Sequence, residues 1–317
     1  MHMKDKEEMI RKATYDDLPE LMEVFGKARE IMRASGNMNQ WNDGYPSEEI
    51  VRNDIDKGVC YIMSYRDKDG TERIEATMAF IPGPDPTYTN IYDGQWIDSS
   101  PYHVIHRIAA AKPGNNAASK LMDWAFTQTD NIRIDTHKDN AIMQHILDKQ
   151  GFTHCGMIYL ANGEPREAYQ MSTKVNKYRA LDNLARTYFY GEDDIIANMA
   201  NLSAMIHREF GFWWTGFYRV DGDYLILGPF QGPTACSRIA YGKGVCGTAW
   251  KRGKTIVVPD VEQFRGHIAC SSESRSEIVV PVWRNGIIVA VLDIDSDKLG
   301  TFSKTDKEWL ERIVEVI

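Results

Sequence analysis

Apolar residues in DDLPELMEVFGKAREIMRAS fall at Leu18, Leu21, Met22 and Phe25. That is the three-and-four spacing of a helix face, with Asp16 or Asp17 placed to cap it. GVCYIMSYRD and ERIEATMAFIPG read instead as two strands around the turn DKDG. PYHVIHRIAAA predicts another strand, broken at PGNN and followed by a helix over ASKLMDWAFTQT. NIRIDTH predicts a short strand, DNAIMQHILDKQ a helix ended by Gly151, and FTHCGMIYL a final strand. This alternation predicts a mixed α/β domain ending near residue 173.

The next stretch, KVNKYRALDNLARTYFYGEDDIIANMANLSAMIHREF, is helical in pattern on both sides of Gly191. It carries the expected boundary, with domains at 1–174 and 175–317 joined by a short polar junction. Beyond it WWTGFYRV, YLILGPF, GVCGTAWKRG, TIVVPDV, EIVVPVWRNG and GIIVAVLDIDSD follow one another as strand-like runs between glycine turns. Helices are expected before residue 211 and after residue 303, so the second half reads as a sheet with helices packed against it. The halves differ in pattern, and neither repeats the other.

At 317 residues the chain exceeds a usual single core, which agrees with two domains. The 45 acidic residues outnumber the 37 basic ones, for a formal charge of −8. That balance argues against a general nucleic-acid backbone binder. No apolar run approaches the roughly 18 residues of a membrane span. The start, MHMKDKEEMIRK, lacks the apolar segment of a secretory signal, so the cytoplasm is the expected compartment.

Five cysteines in this length, an odd number, fit a reducing compartment better than a disulfide framework. Cys60 and Cys155 sit in strand-like runs, where a buried, inert thiol is expected. Cys236, Cys246 and Cys270 instead occupy a 35-residue window. Cys270 lies in GHIACSSESRSEIVVP, before a polar turn and a carboxylate, Glu277, at the mouth of a strand. A three-cysteine zinc site with His267 as fourth ligand lacks the paired short spacings of structural zinc. In VLDIDSD the positions i and i+2 point Asp293 and Asp295 to one strand face. Crowded carboxyls raise one another's pKa. A thiolate, a proton donor and a second thiol are the parts that sulfoxide reduction needs.

The stretches GPFQGPTACSRI, GKGVCGTAW, VVPDVEQF, GHIACSSESRSEIVVP and AVLDIDSDKLGTF resemble the free methionine-(R)-sulfoxide reductases, built on a GAF domain. The resemblance spans about residues 176–317 and implies an antiparallel sheet flanked by helices. It implies Cys270 as catalytic cysteine, Cys236 as resolving cysteine and Cys246 as an additional redox cysteine. Glu277, Asp293 and Asp295 would hold the substrate, with Trp214 and Tyr218 as the aromatic wall. Arg265 stands where proline is usual, a change confined to the loop before the reacting groups. The implied reaction reduces free L-methionine (R)-sulfoxide, with thioredoxin as reductant, no cofactor, and a homodimer through the GAF part.

Residues 9–173 resemble the GNAT-fold N-acetyltransferases through IRKAT with DLP, HVIHRIAA followed by PGNNAASKLMDWAF, and NIRIDTHKDNAIMQHILDKQGF. The resemblance implies a mixed sheet with helices and an acetyl-CoA turn at Gly114, Asn115, Asn116, Ala117 and Ala118, with Asn140 also at the cofactor. Asn116 replaces a glycine of that turn, and asparagine tolerates left-handed geometry. Lys112 is the basic residue available before the turn. Leu147 occupies the position of the family's tyrosine acid, leaving Tyr159 or His106 as substitutes. Gln40 and Trp41 are candidate pocket residues, and no acceptor amine is named. The alternative reading of the whole chain is an acetyltransferase whose GAF part senses a small ligand without catalysis.

Overall fold

The computed structural model describes residues 7–66, 70–268 and 272–317, and the chain divides into two compact units, Met1–Lys174 and Val175–Ile317. Cys270 therefore lies outside the described residues.

The first unit holds a seven-stranded sheet. Its strands are β1 (Glu7–Lys12), β2 (Cys60–Arg66), β3 (Glu72–Pro82), β4 (His103–Ala110), β5 (Asn131–Thr136), β6 (Thr153–Tyr159) and β7 (Pro165–Ser172). They run in the order β1-β2-β3-β4-β5-β7-β6. Every pair is antiparallel except β4 with β5, whose ladder covers His103–Ile105 against Ile132–Ile134. The ladder stops there, and residues 105–108 of β4 with residues 134–136 of β5 line a cavity. Helices α1 (Leu18–Ala34) and α2 (Glu48–Asp56) bury one apolar face with Leu21, Val24, Phe25 and Val51. Helices α3 (Ala117–Gln128) and α4 (Ala141–Lys149) cover the other with Leu121, Met122, Ala125 and Leu147. The expected final strand, β6, is followed by β7, which inserts between β5 and β6.

The second unit begins with α5 (Thr173–Tyr188), whose first two residues belong to the first unit, and α6 (Ile195–Phe210). Its sheet comprises β8 (Trp214–Asp221), β9 (Tyr224–Gln231), β10 (Arg238–Ala240), β11 (Ile256–Val258), β12 (Ser276–Arg284) and β13 (Ile287–Ser296). The order is β10-β9-β8-β13-β12-β11, antiparallel throughout. GVCGTAWKRG, read as strand-like, forms helix α7 (Gly244–Arg252), and α8 (Lys304–Ile313) follows the sheet. α7 ends at Gly253, whose φ of 61° terminates a helix at no Cβ cost.

Alternation along the central strands decides which side chains face which helices. Phe217, Ile278, Val280, Leu292 and Ile294 enter the core with α5, α6 and α8. Trp214, Tyr218, Val279 and Val291 face the other way, with Val245 and Ala249 of α7. No described helix is long and apolar enough to cross a membrane.

Candidate functional site

Adjacent strands bring the acidic residues together on the α7 face. In the β12–β13 ladder Glu277 lies opposite Asp295, and Val279 opposite Asp293. β13 also pairs with β8, placing Asp295 opposite Trp214 and Asp293 opposite Gly216. Strand periodicity then fixes Trp214, Tyr218, Glu277, Asp293 and Asp295 on one face. α7 lays Cys246 over them, and all six line one cavity. The described lining includes no lysine or arginine.

The Cys246 Sγ lies 4.0 Å from Glu277 Oε1. One ligand atom each of Cys246, Glu277 and Asp293 falls within 4.8 Å of the others. Ser274 donates its hydroxyl to Asp295 Oδ1, and His267 Nε2 stands 3.8 Å from Glu277 Oε2. Asp293 Oδ1 is buried without a hydrogen-bond partner. Trp214 Nε1 donates to the Pro233 carbonyl at 3.0 Å, fixing its ring. That ring stacks on Phe230 and Tyr218 at centroid distances of 5.4 and 5.9 Å.

Gly216 makes this stacking fit. A Cβ there would fall 2.4 Å from Phe230 Cβ and 2.6 Å from the Trp214 ring. Gly216→Ala is expected to displace Trp214 and destabilise the second unit by about 1–3 kcal/mol, the usual overpacking cost. Denaturant unfolding measures it, and an unchanged midpoint would contradict the packing argument.

Burial pushes the Glu277 and Asp293 carboxyls well above the ordinary range, and the neighbouring carboxyls add to it. Burial also raises Asp295, to about 6, against the stabilising Ser274 hydrogen bond. Burial first, then Asp293 and Glu277, push the Cys246 thiol well above 9. Burial likewise lowers His267, so the ring is neutral near pH 7. The site therefore stores protons on acids that an unfolded chain would have ionised. An acid whose folded pKa exceeds its unfolded value favours folding most below the unfolded value, near 4, and loses that contribution as pH rises through the folded one. These groups should make the second unit progressively less stable from about pH 4 through about pH 6 and above. Melting temperatures across that window measure the sum over all titrating groups. Subtracting those of a Glu277→Gln, Asp293→Asn, Asp295→Asn triple variant isolates the cluster, and a difference that does not fall with pH would contradict the assignment.

The predicted cysteines separate. Cys60 and Cys155 are buried free thiols in the first unit, both raised by burial, as inert thiols should be. Cys246 is a buried free thiol, and half-buried Cys236 is disulfide-bonded. The described residues nearest Cys270 that line the cavity are Ile268 on one side and Ser274 on the other. Sequence reasoning missed Ser274 as the Asp295 partner, although the serine-rich turn was its signal.

In the first unit, Gly114 has φ +77°, and Asn116 adopts the left-handed conformation, φ 56°, at the start of α3. The Asn116 side chain makes no cap to that helix, while Asn115 Oδ1 accepts from Ala117 N at 3.1 Å. Asn115 Nδ2 is buried without a partner. The turn, Lys112, Ala117, Ala118 and Asn140 line a cavity of about 520 Å³. Asn140 caps α4 by accepting from Met143 N and donates Nδ2 to Gln40 Oε1 at 2.8 Å. A second cavity, about 450 Å³, shares Met32, Ile108, Asn140 and Met143 with the first and is lined also by Gln40, Trp41 and His106. His106 Nε2 lies 2.9 Å from Asp85 Oδ2. Leu147 is fully buried in the core and Tyr159 is exposed against Tyr92, so neither is at these cavities.

A family model described as GAF domain matches residues 140–317, beginning at the α4 cap inside the first unit. GAF domain-containing protein A of Dictyostelium discoideum is 55% identical over 46% of this chain and 92% of its own length. A protein of Escherichia coli strain K12 named free methionine-R-sulfoxide reductase is 42% identical over 44% of this chain and 86% of its own. A solved GNAT-family acetyltransferase from Streptococcus agalactiae is 30% identical, covering 52% of this chain and 95% of its own, with a TM-score of 0.47.

Proposed function

We propose that this chain, which belongs to the GAF domain family, reduces free L-methionine (R)-sulfoxide to methionine in its second unit. One observation carries the reading: a buried cage of three carboxyls beside an aromatic wall, lined by no lysine or arginine among its described residues. Such a cage needs a cation to ionise without large cost. The ammonium of a free amino acid supplies one, and a methionine residue inside a polypeptide does not. Trp214 and Tyr218 offer flat apolar surface for the thioether end, and Trp214 is held in place by Pro233.

Chemistry follows from the protonation states. The Cys270 thiolate attacks the sulfoxide sulfur, and a carboxyl of the cage gives its proton to the departing oxygen. The protonated oxygen then passes to the Cys270 sulfur as the substrate's sulfur–oxygen bond and the new sulfur–sulfur bond break, releasing methionine and leaving a sulfenic acid on Cys270. Cys236 then attacks that sulfenic sulfur, forming a disulfide and releasing water. A dithiol protein of the thioredoxin type returns both cysteines to thiols by exchange. Cys246, with its thiol held protonated inside the cage, is the poorer nucleophile, which favours Cys236 as the resolving residue. No cofactor enters these steps. An assay of the full chain with separate R and S sulfoxides and a dithiol reductant tests the proposal. Turnover of R alone is expected; equal turnover of both, or none, would overturn it.

For the first unit we propose acetyl-CoA binding and N-acetyl transfer. The turn at Gly114–Ala118 supports pyrophosphate binding, since Asn115 Nδ2 is an unpartnered buried donor and the Asn116 side chain makes no cap to α3, Asn115 Oδ1 taking only the Ala117 N–H. Bound acetyl-CoA would supply the activated acetyl group. The adjoining cavity at His106 would hold the acceptor amine, with His106 oriented by Asp85. Saturable acetyl-CoA binding is expected, weakened by Gly114→Val because valine resists a φ of +77°. No binding at millimolar acetyl-CoA would sink this proposal.

A further inference from the structure

We propose that Cys246, Glu277 and Asp293 form a binding site for a thiophilic divalent cation of the zinc type, inside the cavity of the second unit. The site stands on its own geometry, whether or not that cavity takes methionine sulfoxide.

Cys246 is the group that the reductase reading leaves without a step. It projects from α7 toward the cage, 3% exposed, with its sulfur 4.0 Å from Glu277 Oε1. Among the described residues, Cys246, Glu277 and Asp293 bring one ligand atom each within 4.8 Å of the others. Ligand atoms around tetrahedral zinc, at about 2.0–2.3 Å from the metal, sit roughly 3.5 Å apart. Closing the observed spacing needs side-chain movement of about 1 Å, within rotamer adjustment. His267 Nε2 stands 3.8 Å from Glu277 Oε2 but outside that group of three, so a water would take the fourth position.

An acidic cluster alone would say little. A second observation points to a missing ligand: Asp293 is 7% exposed, lines the cavity, and its Oδ1 has no hydrogen-bond partner. An unpartnered buried carboxyl oxygen is costly, and no lysine or arginine of the described lining relieves it. An ammonium can satisfy oxygen atoms, but it gains nothing from a thiol. A soft cation uses both, because thiolate selects zinc-like metals over calcium and magnesium. Cation and amino acid would then compete for Glu277 and Asp293, so the metal would hold the cavity closed to substrate.

The experiment uses the full-length oxidised protein, free of reductant and chelator, in which Cys236 is disulfide-bonded and unavailable as a ligand. Zinc chloride is titrated against a competing chromophoric chelator, and cobalt chloride reports thiolate ligation through its near-ultraviolet charge-transfer band. One ion per chain and a charge-transfer band are expected. Cys246→Ser should abolish the band, and Asp293→Asn should loosen zinc by at least about tenfold. Cys60→Ser and Cys155→Ser should change neither. Absence of stoichiometric zinc, or a band that survives Cys246→Ser, would overturn the site. Should Cys246→Ser not fold, Asp293→Asn carries the test, and undiminished zinc affinity in that variant would overturn it equally.

Discussion

Cys270→Ser is expected to yield no methionine when the reduced protein meets free methionine (R)-sulfoxide without external reductant. Cys236→Ser should yield close to one equivalent in the same experiment. The contrast follows from the order of bond making. The first turnover consumes one thiol and releases methionine before any second thiol acts. A serine hydroxyl at position 270, with a far higher pKa, supplies no comparable nucleophile, and the rate should fall by more than about 10³-fold. Cys246 cannot substitute, because burial and its acidic neighbours keep it protonated. Without Cys236 the sulfenic acid persists, and a sulfenic-acid trap should label Cys270. A normal first turnover from Cys270→Ser would reject Cys270 as nucleophile. Loss of the first turnover in Cys236→Ser would reject Cys236 as a purely resolving residue.

How much of this was legible beforehand depended on which side chains each strand buries. β13 was plain, because Ala290, Leu292 and Ile294 alternate with Asp293 and Asp295, and the period-two rule put both acids on one face. β7 was missed for the converse reason. Its inward positions include Arg166, Gln170 and Ser172, all buried, so no apolar alternation marks the strand. Gln170 is satisfied from β5, donating to Asn131 Oδ1, a partner that only the folded sheet provides. α2 was hidden similarly: its buried Asp54 meets the Arg107 guanidinium at 2.8 Å, a contact 53 residues away. In α7, short length and flanking glycines imitated a strand, although Gly253 after Lys251 and Arg252 was the stop signal of a helix. The gathering of Glu277 with Asp293 and Asp295 required the β12–β13 register: the Asn285–Gly286 turn marks a hairpin, but a bulge at Val282/Trp283 shifts the pairing by one residue from what the turn alone would set.

Asp293→Asn should make the second unit more stable at pH 8 while weakening its grip on methionine sulfoxide. Asp293 is buried, its pKa lies well above the ordinary value, and one oxygen has no partner. Near pH 5 the carboxyl is protonated, and an amide closely imitates it, so melting temperatures of variant and parent should coincide. As pH rises, the parent must ionise an acid in the cage or hold its proton against the solution. The folded-state pKa being raised, that stabilising contribution declines with pH, and the amide is spared the decline. The variant should therefore melt progressively higher than the parent towards pH 8. Binding moves the other way. An ammonium loses a charged acceptor, worth about 1.5–3 kcal/mol, so KM should rise roughly 10- to 100-fold. The split identifies the cause: a merely structural aspartate would lose stability and activity together. Adding sulfoxide should raise the parent melting temperature more at pH 8 than at pH 5, as the ammonium neutralises the ionised cage, and should barely move the variant. A variant less stable than the parent at pH 8, with KM unchanged, would mean that Asp293 serves the fold and that the ammonium seat lies elsewhere.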